Sequence, residues 1–215
     1  MSKQCQLLHE LSDSCKRIRF PYDSEQIPLD GIYLLFELGE RGHGSDRIVR
    51  VGTHTGLHNL PSRITEHFMV ENKDRSIFRK NIGRALLAKE DDPFIEDWEL
   101  DLTKKEARDL HSGRIDEQRQ EEVERQVSSY IQNSFSFVVI PNANKEKRLI
   151  LESRIISTVS LCDGCGPSSE WLGQYSPKEK IRRSGLWLIQ GLYKEPLSDD
   201  EMKYLHDVAT SKRRD

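Results

Sequence analysis

Leu60, Arg63, Ile64, His67 and Phe68 fall at i, i+3, i+4, i+7 and i+8. An arginine and a histidine therefore share the apolar face of one helix, a turn apart. A guanidinium fork can hold a phosphate, and an imidazole can carry a proton. The same spacing also suits a rim arginine whose stem covers the core and a core histidine satisfied by a carbonyl. Glu152, Ile155, Ile156 and Val159 repeat the pattern, which aims a carboxylate toward the core from the middle of an apolar run. A buried carboxylate is costly unless it is paired or binds a metal. It reads either as half of a buried ion pair, for example with Arg63, or as a ligand for a hard divalent cation. Tyr33 lies on a strand, on the face opposite Ile32 and Leu34, and Arg50 stands beside Val51 and Gly52 on the next strand. A phenol that relays a proton, an arginine, a histidine and a metal-binding carboxylate are the parts needed for metal-assisted hydrolysis of a phosphodiester.

These side chains need a scaffold. Apolar spacing predicts a helix over 5–18, a Pro-containing linker over 20–29, and strands over 31–38 and 47–52. The two strands read as an antiparallel hairpin joined by 40–45, a loop longer than the tightest turns. Asn59 and Pro61 mark a helix start running to about Val70, and a second helix is expected over 76–89. A short strand is expected over 98–102, a charged helix over 116–132, a strand over 134–140 and an apolar helix over 145–161. Trp171 and Trp187 read as aromatic anchors around a short basic helix, and 198–210 as a closing amphipathic helix. No βαβ unit repeats, so the fold class is α+β, a small and mostly antiparallel sheet flanked by helices.

The chain has 215 residues, the size of one domain, and 35% of them are apolar. No apolar run reaches the roughly 18–20 residues of a membrane span. The first residues lack a signal-peptide core, so a cytoplasmic location is expected. Four cysteines are too few for a disulfide framework. Cys162 and Cys165 form a single C-x-x-C, which reads as a simple loop after a helix rather than as a zinc or redox pair, since Cys5 and Cys15 are far away in sequence. The net charge of −3 argues mildly against a polyanion binder. It hides a segregation, however. Arg75, Arg79, Lys80 and Arg84 form one basic cluster and Lys178, Lys180, Arg182 and Arg183 a second, while 90–101 holds no Lys or Arg.

Gly31, Ile32 and Tyr33 spell GIY on the first strand. Arg50, Val51 and Gly52 occupy the place of a second signature, YIG, and Arg63, His67 and Glu152 follow on later helices. Over 30–175 this ordered set resembles the GIY-YIG nuclease superfamily, especially its restriction-endonuclease-like and standalone bacterial members. The resemblance implies a nuclease-like core over 30–175 with helical additions at 1–29 and 176–215, all within a single domain, 1–215. It implies a DNA endonuclease using Mg²⁺ or Mn²⁺, with Glu152 as metal ligand and Tyr33 at the attacking water. Arg63 would stabilise the scissile phosphate, and His67 would bind the phosphate or relay a proton from Tyr33. DNA is the implied partner, and a homodimer is compatible with cutting both strands. Two positions depart from the pattern. Arg50 stands in place of the second tyrosine and cannot act as a base. The asparagine that many members carry after the Glu helix is replaced by a region containing Ser168 and Ser169. Arg50 reads instead as a phosphate contact. Arg75, Arg79 and Lys80 read as an outward track for backbone phosphates, with Ile77, Ile82 and Leu86 turned inward. The alternative is a catalytically inactive nucleic-acid-binding module of the same fold.

Overall fold

The computed structural model of the chain describes residues 2–111 and 113–211. Four strands, β1 (Ile18–Arg19), β2 (Gly31–Gly42), β3 (Ser45–Gly52) and β4 (Phe135–Pro141), form one antiparallel sheet in the order β1-β4-β2-β3. Helices α1 (Lys3–Ser14), α2 (Leu60–Phe68), α3 (Ile77–Lys89), α4 (Ile95–Trp98) and α5 (Lys105–His111) precede β4, as does α6 (Glu117–Ser134). Helices α7 (Lys145–Ser160), α8 (Glu179–Ser184) and α9 (Asp199–Ser211) follow it. The α+β class holds.

Both faces of the sheet are covered, which is why β2 and β4 read as nearly unbroken apolar runs. Tyr33 and Leu35 point to one core, with Ile64 and Phe68 of α2, Phe78 and Ile82 of α3, and Val127 and Ile131 of α6. Ile32, Leu34 and Phe36 point to the other, with Leu8 and Leu11 of α1, Leu151 and Ile155 of α7, and Leu205 of α9. Burying such side chains contributes about 1.5–3 kcal/mol each. Among the described residues, no helix is long and apolar enough to cross a membrane.

Three local expectations change. The hairpin is longer and its turn tighter: only His43 and Gly44 separate β2 from β3, both with positive φ, 52° and 79°. That is the geometry of a two-residue turn that follows the strand twist, and it places a histidine where glycine or asparagine is favoured. Residues 98–102 form no strand. Trp98 ends a helical turn, its indole N–H donates to the Lys80 carbonyl at 3.0 Å, and the Leu100 carbonyl accepts from the ammonium groups of Lys73 and Lys80. Its ring fills the space left by Gly83, where an added Cβ would lie 2.3 Å away. Helix α1 stops at Ser14, short of 18, because Cys15 is extended and Ile18 pairs with Phe137.

A bulge in β3 matters for the site. Leu35 pairs with Arg50, but Phe36 pairs with Ile48, so Val49 is the extra residue. Its carbonyl accepts the Trp187 N–H at 2.7 Å. Bulges bend a strand and re-aim its side chains. Here Val49 joins the Tyr33 core, and the Arg50 guanidinium lies 5.1 Å from the Phe78 ring.

Candidate active site

Tyr33 sits in β2 opposite Gly52 of β3. Its hydroxyl occupies the space that a side chain at 52 would take: an added Cβ would lie 2.2 Å from the oxygen and 2.4 Å from Cζ. The glycine of the second signature is thus a steric requirement of the tyrosine of the first. From α2, His67 brings Nε2 to 2.8 Å from the Tyr33 hydroxyl. Its Nδ1 lies 2.7 Å from Oγ of Ser76, whose side chain also caps α3 by accepting the Arg79 N–H at 3.3 Å. In the tautomer whose Nδ1–H donates to Ser76, Nε2 accepts the Tyr33 O–H. His67 is fully buried. That burial, reinforced by the cations of Arg50, Arg63 and Arg79, holds its imidazolium well below the usual range and keeps the ring neutral.

Beside this pair lies a cleft of about 350 Å³ lined by residues that include Arg50, Asn81, Glu152, Ile156 and Gln190. Glu152 is half-buried on α7 and faces the cleft. The ion pair with Arg63 does not form. Arg63 donates instead to Glu66 at 3.0 Å and to the Arg75 carbonyl at 3.0 Å. Among the described residues no cation lies within ion-pair distance of Glu152. Burial pushes its carboxyl up, opposed by Arg50, the Thr53 N–H, Arg63 and Arg148. Arg50 donates to the Trp187 carbonyl. Its Nε is buried without a partner among the described residues. Trp187 is itself fixed, its indole N–H donating at 2.7 Å to Glu37, a buried carboxylate that also accepts from Trp171 and Tyr130. A chain of contacts thus runs from Glu37 through Trp187 to Arg50.

The structure therefore gathers Tyr33, His67, Arg50, Arg63 and Glu152 around one edge of the sheet. It treats the basic cluster differently. Only Arg75 is exposed, and it pairs with Glu66 at 2.9 Å. Arg79 and Lys80 do not point outward as expected, and Ile77 does. Arg79 is fully buried, bonded to Glu124 at 2.7 Å and to Ser128 Oγ at 2.9 Å. Lys80 is 8% exposed and donates to the carbonyls of Glu99 and Leu100. The reason is internal acidic partners: Glu124 on α6, distant in sequence, gives Arg79 a buried carboxylate, and the nearby Asp74 lies 3.4 Å from Lys80.

Asn81 escaped notice in the sequence. It is fully buried on α3, its Oδ1 accepts from Arg84 at 2.6 Å, and its Nδ2 has no partner among the described residues. An asparagine does reach the cleft, then, but from α3. Ser168 is engaged elsewhere, on Glu40. The available signal was an uncharged polar residue inside a basic helix, and it does not by itself show which way the side chain points.

Comparisons with known proteins fit this geometry. The family profile described as a GIY-YIG domain matches residues 1–213. No curated protein and no solved structure matches the chain. A profile that spans nearly the whole chain, with GIY on β2 and the signature glycine of β3 beneath its tyrosine, settles the relationship: the chain belongs to the GIY-YIG family.

Proposed function

We propose that the chain is a DNA endonuclease that hydrolyses phosphodiester bonds with one divalent cation, Mg²⁺ or Mn²⁺. The observation that carries this reading is the half-buried Glu152. Its carboxyl is lifted by burial and, among the described residues, has no cation within ion-pair distance; it shares a cleft with Arg50, whose Nε has no partner among those residues. An acid of that kind beside an unsatisfied donor suits a cation and a phosphate together. Glu152 would hold the cation, which supplies Lewis acidity and a water of lowered pKa.

The remaining work falls to the chain's own side chains. The Tyr33 oxygen takes a proton from the attacking water as its own passes to Nε2 of His67, 2.8 Å away. Ser76, at Nδ1, fixes the imidazole orientation. In the free protein His67 is a poor base, because it is buried among Arg50, Arg63 and Arg79. A phosphodiester held by Arg50 and Arg63 neutralises two of those cations and so raises the basicity of His67 when substrate is present. Arg63 and Arg50 oppose the charge that builds on the phosphate, and Asn81 Nδ2 offers a further donor. Arg75 supplies an exposed contact to neighbouring phosphates. Arg79 and Lys80 act from inside, holding α3 against α6 and the 99–100 segment.

Arg50 in place of the second tyrosine favours a second reading, a binding module without chemistry. Supercoiled plasmid separates the two. Nicking that requires Mg²⁺ or Mn²⁺ and stops with chelator supports the enzyme. Salt-dependent DNA binding with no cleavage of single-stranded, methylated or unmethylated DNA supports the module.

A further inference from the structure

The C-x-x-C was expected to be a simple loop, but Cys165 does not stand alone. Its Sγ lies 3.4 Å from Cys5 Sγ and 3.8 Å from His9 Nε2, and Cys5 Sγ is 3.8 Å from His9 Nδ1. The His43 ring sits 4.9 Å from that of His9. One donor atom from each of Cys5, His9, His43 and Cys165 falls within a sphere of contacts no wider than 4.8 Å. Cys5, His9 and Cys165 are all buried. Tetrahedral zinc with about 2.3 Å bonds to sulfur and about 2.0 Å bonds to nitrogen sets its ligand atoms roughly 3.3–3.8 Å apart. The Cys5–Cys165 and Cys165–His9 Nε2 separations, 3.4 and 3.8 Å, lie near that range, and the remaining donor pairs fall within 4.8 Å.

Two details point to a built site. His9 Nδ1 lies 2.8 Å from the Cys5 carbonyl, so the tautomer with Nδ1–H donating leaves Nε2 as the lone-pair nitrogen, between the Ile48 N–H at 3.4 Å and Cys165 Sγ at 3.8 Å. A ring nitrogen tied to a backbone carbonyl is how metal-binding histidines are usually oriented. His43 is held on the β2–β3 turn in the left-handed region, and its Nε2 lies 3.2 Å from Cys162 Sγ, so Cys162 fixes the ring. An added Cβ at Gly42 would meet Cys165 Sγ at 3.4 Å, so the turn packs directly on the cluster.

We propose that Cys5, His9, His43 and Cys165 bind a structural Zn²⁺ ion that clamps α1, the β2–β3 turn and the loop after α7. The donor set, two sulfurs and two imidazoles, selects zinc over the hard cations that Glu152 suits. The clamp joins segments up to 160 residues apart in sequence, and it is separate from the phosphodiester chemistry.

The test is metal analysis of tag-free protein grown with zinc and purified under reducing conditions without chelator. The expected content is about one zinc per chain. Cys165→Ser and His43→Ala each lose it, whereas Cys15→Ser and Glu152→Gln keep it. Because the ligand variants could fail to fold, the wild type also carries the test. Cobalt added after zinc removal gives thiolate-to-cobalt charge-transfer absorption and the visible bands of a tetrahedral ion, and chelator lowers the melting temperature. Zinc-free wild type without a cobalt signal overturns the proposal. So does full zinc content in Cys165→Ser and His43→Ala, or a Cys5–Cys165 disulfide in place of metal, seen as a loss of about 2 Da in the unreduced protein.

Discussion

Gly52→Ala is the smallest change that should disturb the candidate site. The new methyl carbon would lie 2.4 Å from Tyr33 Cζ and 2.2 Å from its oxygen, against ordinary contact at 3.4 Å, so the ring must move by about 1 Å. Tyr33 is 1% exposed and packed in the main core, so it has nowhere to retreat without straining its neighbours. Overpacking of this kind costs about 1–3 kcal/mol. Loss of the buried bond to His67 adds about 1 kcal/mol. A total of about 2–4 kcal/mol moves the urea midpoint down by about 1 M or more for a chain of this size. If Tyr33 receives the water's proton, a displacement of about 1 Å also lowers the cleavage rate by about 100-fold. The assays are urea unfolding followed by fluorescence, and plasmid nicking. Gly166→Ala is the matched control, since its added Cβ meets nothing within 4 Å and its φ is −61°. If Gly52→Ala matches wild type in both midpoint and rate, the steric account of the Tyr33–Gly52 pair is wrong.

Three further outcomes follow from the same geometry. Arg79→Ala or Glu124→Ala alone leaves a buried charge unpaired and should cost about 3–5 kcal/mol in denaturant unfolding, with the double substitution costing less than the sum of the two. His67 stays neutral in the fold while the unfolded histidine titrates near 6.5, so the unfolded state binds the extra proton below that pH. Its contribution is complete above pH 6.5 and erodes as pH falls toward the depressed folded value, by up to about 1.4 kcal/mol per pH unit. His67→Gln should remove that slope, so parallel pH–stability curves for the two proteins would contradict the buried neutral ring. Asn81→Ala removes an Nδ2 that has no partner among the described residues and should reduce kcat about 10²-fold or more; because it also frees the buried Arg84 donor it should cost about 1–3 kcal/mol in unfolding, and an unchanged kcat in the folded variant would take Asn81 out of the site.

Much of this arrangement was legible in the residues themselves. Periodicity placed Arg63 and His67 on one face of α2, and the GIY triplet and Gly52 sit on neighbouring strands as their spacing suggested. What could not be read locally depended on partners far along the chain. The direction of Arg79 was decided by Glu124, 45 residues later. The turn at His43 and Gly44 was masked because residues 39–42, two glycines and two charged residues, look like loop yet continue β2. Residues 98–102 alternate as a strand does, but Trp98 found a cavity over Gly83 instead. The ring of thiols and imidazoles was invisible because Cys5 and Cys165 stand 160 residues apart.

The central claim is tested most directly by comparing wild type with Glu152→Gln on plasmid DNA in Mg²⁺ or Mn²⁺, alongside unfolding curves and DNA affinity. The account predicts that wild type cleaves, that chelator stops it, and that Glu152→Gln folds and binds DNA but loses cleavage. Equal cleavage by the two proteins, or no cleavage by the folded, DNA-binding wild type in either metal, would contradict it.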